Sequence, residues 1–127
     1  MSRVFFIDRS LGKHTVANAV RTAGVQVEVH DAHFAQDARD EAWLPEVGRR
    51  GWAVLTKDDR IRYRGAEIAA ATNAGVALFI FVGKNVRGAG IAEAFVRALP
   101  RMMELLASRQ RPFVARVTRT GSVTIVG

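Results

Sequence analysis

Cysteine is missing altogether. Its absence excludes disulfides and thiolate-bound metal, and it fits a reducing compartment. Histidine is scarce, at three residues, so a zinc site has few nitrogen donors to draw on. The longest apolar run near the N-terminus is four residues, Val4 to Ile7, and an aspartate follows it. That is too short for a signal-peptide core or a membrane span, and a cytoplasmic protein is expected. Repeats, low-complexity tracts and Pro/Gly/Ser-rich linkers are also lacking, so residues 1–127 are expected to form a single domain. A chain of this length buries about two-thirds of its unfolded surface and can sustain one core.

Acids are outnumbered, 12 against 19 Lys and Arg, for a formal charge of +7, and they are unevenly spread. Residues 1–67 hold 10 of the acids and 11 of the basic residues, whereas residues 68–127 hold 2 acids and 8 basic residues. A net positive chain suits a polyanionic partner such as RNA or DNA, through phosphate neutralisation and counterion release. Solubility and a high arginine content give a plainer account of the same charge.

Short apolar runs alternate with helical patterns, the mark of βαβ units and a mainly parallel sheet. Residues 3–8 predict a first strand, and Lys13 to Ala23 a helix that stops at Gly24. Val25 to Val29 alternates as a strand, His30 to Arg39 reads as loop, and Asp40 to Arg49 as a helix carrying Trp43, Leu44 and Val47. Trp52 to Thr56 and Val76 to Val82 are buried strands, with a short Ala-rich helix from Glu67 to Asn73 between them. Ile91 to Ser108 predicts a long helix kinked or broken at Pro100. Phe113 to Arg119 and Ser122 to Val126 predict a closing hairpin. Right-handed crossovers then give a three-layer α/β/α sandwich with strand order 2-1-3-4, continued by the hairpin. Ligands of such sheets bind beyond the carboxyl ends of the strands where the connections diverge, here between the first and third.

The first and third strands both end in acids, at Asp8 and at Asp58-Asp59. The helix beginning near Asp40 can lean toward the same rim. Asp8, Asp40 and Asp58 would thus converge, with Asp37 and Asp59 as neighbours, and such a cluster needs a hard cation to offset its repulsion. Mg²⁺ or Mn²⁺ takes one to three carboxylates and leaves room for a phosphate, which points to phosphodiester chemistry. Plainer roles exist for each acid. Asp8 can cap a turn, Asp37 and Asp40 can cap or charge-match a helix start, Asp58-Asp59 can cap the next segment, and Glu67 can lie on a helix surface. His14 reads as a helix-face residue and Trp43 as core. Arg9, Lys13, Arg60, Arg62 and Arg64 flank the acids and can contact RNA phosphates or form an ordinary basic face.

The stretches Phe5-Phe6-Ile7-Asp8-Arg9-Ser10-Leu11-Gly12, Asp37-Ala38-Arg39-Asp40-Glu41-Ala42-Trp43-Leu44 and Val54-Leu55-Thr56-Lys57-Asp58-Asp59-Arg60-Ile61-Arg62-Tyr63-Arg64, with Glu67 downstream, resemble the PIN-like nucleases. They are most similar to the small branch found among VapC-type toxins. The resemblance covers residues 4–82 and weakens over the last helix and hairpin. It implies a metal-dependent ribonuclease in which Asp8, Asp40 and Asp58 hold Mg²⁺ or Mn²⁺, with RNA as substrate and an antitoxin protein covering the site. A homodimer is compatible with the sequence. Related chains often place a further acid two positions after the Thr-x-Asp acid and then Phe. Here Asp59 is directly adjacent and Arg60-Ile61 come next, which leaves the fourth acid open among Asp59, Asp37 and Glu67. Two alternatives to an enzyme are a receiver-like regulatory module and a PIN-like scaffold that binds RNA without cutting it.

Overall fold

The computed structural model describes residues 3–57 and 73–126, apart from the side chains of residues 40 and 41. Six strands form one sheet: β1 (Val4–Ile7), β2 (Gln26–Val29), β3 (Ala53–Thr56), β4 (Ala77–Val82), β5 (Phe113–Thr118) and β6 (Val123–Ile125). Their order is β2-β1-β3-β4-β5-β6, parallel throughout except for the antiparallel β5–β6 pair. The strand order and the closing hairpin are those expected from the sequence.

Side-chain alternation along the strands explains the three layers, because successive residues of a strand point to opposite faces. Phe5 and Ile7 of β1, Leu55 of β3 and Phe79 of β4 face one apolar cluster. That cluster is completed by Val16, Ala17 and Val20 of α1 (Thr15–Thr22) and by the buried side of α3 (Gly88–Ser108). Phe6, Val54, Leu78 and Ile80 face the other side and meet Trp43, Leu44 and Val47 of α2 (Asp40–Arg49). Both faces of β1 are therefore covered, which is why Val4 to Ile7 carries no polar alternation.

Several boundaries differ from the expected ones. Helix α1 starts at Thr15 rather than Lys13, because residues 9–11 form a 3-10 turn that Gly12 ends with a positive φ of 72°. Helix α3 starts at Gly88, three residues before Ile91, since its two early glycines mask the helical pattern. It also runs unbroken through Pro100: Phe95, Ala98, Leu99 and Met102 are all buried around the proline, and this packing offsets the lost backbone hydrogen bond. The stretch from His30 to Arg39 is not a plain loop. It opens with a 3-10 turn over His30–Ala32, and Phe34 and Ala38 pack on the second apolar cluster. The helix expected over Glu67–Asn73 lies outside the described residues except at its end, where Asn73 and Ala74 are helical. A Cβ on Gly48 would stand 2.1 Å from the Ala74 carbonyl oxygen, so glycine is what permits α2 to approach the backbone there.

Candidate active site

Strand register builds the site. Ile7 lies opposite both Val29 of β2 and Leu55 of β3. One step further along each strand brings Asp8 between His30 and Thr56 at the carboxyl end of the sheet. By alternation, all three fall on the α2 face, together with Phe6 and Val54.

Asp8 is only 3% exposed, and its amide donates to the Leu55 carbonyl at 3.0 Å. Its Oδ2 accepts from the Thr56 hydroxyl at 2.8 Å and from the Ser10 amide at 3.3 Å. The second bond is a cap on the 3-10 turn, so the turn-capping role foreseen for Asp8 is also realised. Ser10 Oγ lies 3.1 Å from Thr56 Oγ1 and accepts from the Lys57 amide at 3.2 Å. A hydroxyl carries one hydrogen. With that of Thr56 given to Asp8, the Ser10 hydroxyl must donate to Thr56, and the chain runs in one direction from the Lys57 amide to the carboxylate. Among the described residues no donor addresses Oδ1.

The other expected site residues divide into three groups. Asp40 is the first residue of α2, so it stands in the first turn, while the N-cap position foreseen for one of Asp37 and Asp40 is taken by Arg39, with no side-chain cap. Asp37 is exposed in the preceding turn. Asp58, Asp59, Arg60, Arg62, Arg64 and Glu67 lie outside the described residues. Arg9 is half-buried, and its guanidinium donates to the Ala38 carbonyl, tying the turn after β1 to the segment before α2. Lys13 is exposed and sits 3.8 Å from the Asp31 carboxylate. His14 occupies the N-cap position of α1. Trp43 is fully buried, 5.2 Å from the Phe6 ring centroid, and belongs to the core.

The profile of the PIN-like domain family matches residues 3–83. The chain belongs to the PIN-like domain family. This PIN-like chain is also similar to a curated protein of Mycobacterium tuberculosis (strain ATCC 25618 / H37Rv) named "Putative ribonuclease VapC45". The two are 28% identical over 98 residues, which take in 74% of this chain and 71% of that protein. No solved structure matches it.

Three contributors to this PIN-like site were not singled out from the sequence: Ser10, Thr56 and His30. The hydroxyls could have been found from their positions, since each stands within two residues of a strand-end acid. His30 gave no such signal, because it opens a polar stretch. It is nevertheless 1% exposed, surrounded by the rings of Phe6, Phe34 and Trp43. Burial pulls its pKa below the ordinary imidazole value; Asp8 opposes that shift, Arg9 adds to it and Asp31 opposes it. A base whose folded pKa is lowered binds fewer protons folded than unfolded below its unfolded value. Its contribution is thus intact above about pH 6.5 and lost as the pH falls below that. On acidification from neutrality, the wild type should lose stability more steeply than His30→Phe, by at most about 1.4 kcal/mol per pH unit. Denaturant unfolding of both proteins across this pH range checks it, and parallel curves would refute it.

Proposed function

We propose that this protein is a Mg²⁺- or Mn²⁺-dependent endoribonuclease that hydrolyses RNA phosphodiester bonds, and the toxin of a type II toxin-antitoxin pair. The observation that carries the reading is Asp8, a carboxylate held by Thr56 and Ser10 at the carboxyl end of a central strand in a PIN-like chain. Membership of that family sets aside the receiver-like alternative. The VapC relative's name supports ribonuclease activity, and by extension an antitoxin partner.

Oxygen donors suit a hard divalent cation, which Asp8 would help to hold: both hydrogen bonds to its carboxylate fall on Oδ2, and no donor among the described residues addresses Oδ1. Asp40 and Asp58 would complete the set, with the fourth acid one of Asp59, Asp37 or Glu67. Asp58 comes two residues after Thr56, and Asp40 opens the helix packed on the face that Asp8 shares. The bound ion supplies an activated water and charge stabilisation at the leaving oxygen. The protein's own part is to orient the Asp8 carboxylate through the Thr56 hydroxyl, and to draw in RNA with Arg9, Lys13, Arg60, Arg62 and Arg64. Residues 1–127 act as one unit in the cytoplasm. Among the described residues no helix is long and apolar enough to cross a membrane.

The purified protein should cleave single-stranded RNA in Mn²⁺ or Mg²⁺ and stop in EDTA. Either metal should also raise the melting temperature by mass action, and raise it much less in a triple Asn variant of Asp8, Asp40 and Asp58. RNA binding without metal-dependent cleavage would establish the noncatalytic alternative instead.

A further inference from the structure

Beside Asp8, past the ends of β1 and β2, lies a pocket of about 170 Å³ lined by Arg9, Gly12, Lys13, His30, Asp31 and Gln36. At about 30 Å³ per water it holds roughly six waters, too little for a whole nucleotide but enough for one phosphate group. Two cations and an amide line it, with a single acid among them. That acid, Asp31, is shared three ways. Its Oδ1 accepts from Gln36 Nε2 at 2.7 Å, its Oδ2 stands 3.8 Å from Lys13 Nζ, and Oδ1 is 3.9 Å from His30 Nδ1. The last separation is beyond hydrogen-bond range.

His30 is the independent observation. It is almost wholly buried, and neither ring nitrogen has a hydrogen-bond partner among the described residues. A buried donor left without an acceptor is costly, and each instance in a native fold calls for a cause. Here the acceptor Asp31 Oδ1 stands about one ångström too far away and already accepts from Gln36.

We propose that this pocket is a phosphate subsite for the RNA strand, in which the Asp31 carboxylate occupies the place of a backbone phosphate until RNA arrives. The phosphate takes over Lys13 and Gln36, with Arg9 at the rim, and Asp31 turns to accept from His30 Nδ1–H. The released carboxylate thus keeps a partner, and the buried imidazole gains one. This assignment rests on the reading of the protein as a ribonuclease and adds to it where the strand is gripped beside the acids.

The test is a double-mutant cycle, read by fluorescence anisotropy of a labelled single-stranded oligoribonucleotide in Ca²⁺ over a series of salt concentrations. Lys13→Gln should weaken binding and flatten the log-log salt slope by about 0.7. Asp31→Asn removes the internal competitor. It should tighten binding by about two- to fivefold, the range of a partly exposed ion pair, and steepen the slope by up to about 0.7. In the Lys13→Gln background, Asp31→Asn should tighten binding clearly less and leave the slope unchanged, because only Gln36 and the rim arginine remain to be released. Loss of a negative charge from a basic surface would instead help binding equally in both backgrounds, and that result overturns the proposal, as does an unaltered affinity in Asp31→Asn. The His30 imidazole ¹⁵N signal should also move on RNA addition in the wild type, and by clearly less in Asp31→Asn. Cleavage of the same RNA in Mn²⁺ is scored separately. A missing cleavage with the cycle intact removes the nuclease assignment and keeps the subsite, whereas intact cleavage with an additive cycle does the reverse.

Discussion

Asp8→Asn should lower metal-dependent RNA cleavage by about 10³-fold or more, the loss expected when several kcal/mol of metal-borne stabilisation disappears. The fold should survive the change. An asparagine carbonyl can take the position of Oδ2 and keep accepting from the Thr56 hydroxyl and the Ser10 amide, while its NH₂ faces the place of Oδ1 and presents donors where an ion needs an acceptor. Asp8→Ala should be equally inactive but less stable, by about 1–3 kcal/mol, because both hydrogen bonds accepted by the buried carboxylate, from the Thr56 hydroxyl and the Ser10 amide, are lost. Thr56→Val should fall between these variants and the wild type, at about 10–100-fold lower activity, the usual cost of removing a group that orients a metal ligand. Cleavage rates and melting temperatures of the three variants check the series. An Asp8→Asn protein that cut RNA at the wild-type rate would remove Asp8 from the site.

Trp43→Ala should cost about 3–5 kcal/mol in unfolding free energy, which places it among the most damaging single changes open to this chain. The indole is fully buried and packs on Phe6 at 5.2 Å and edge-on to His30 at 5.9 Å, in the smaller of the two apolar clusters. A cavity there has few neighbours able to collapse into it. The same indole fixes the first turn of α2, where Asp40 begins the helix, so activity per folded molecule should fall as well. Denaturant unfolding read alongside cleavage at low temperature separates the two effects. A loss below about 1 kcal/mol would mean that the cluster repacks.

How much of this could be read from the residues depended on whether a signal was periodic. Phe5-Phe6-Ile7 and Ala77 to Val82 have no polar alternation, and short runs rich in aromatic and β-branched residues fit strands covered on both faces, so the order of the sheet emerged once the crossovers were taken as right-handed. Asp8 was legible because it interrupts such a run. Trp43 was legible as core from its spacing with Leu44 and Val47. His30 was not, since a lone imidazole among polar neighbours carries no period, and only the register Ile7↔Val29 places it beside Asp8. The start of α3 was hidden by Gly88 and Gly90, whose poor helix propensity is overridden by the packing of Ile91, Phe95 and Met102.

The position of β1 between β2 and β3 sets the order in which the surroundings of Asp8 are assembled during synthesis. The strand that bears Asp8 is made first, yet the hydroxyl that orients its carboxylate belongs to Thr56, 48 residues later. The apolar face beneath Phe5 and Ile7 waits longer still, for Phe95 and Met102 of α3. At synthesis rates of about 5–20 residues per second, Asp8 spends seconds on the ribosome before its neighbours exist. If the proposed nuclease function holds, a nascent chain would lack an oriented Asp8 carboxylate until β3 has emerged, and a chain truncated before β3 would lack it altogether.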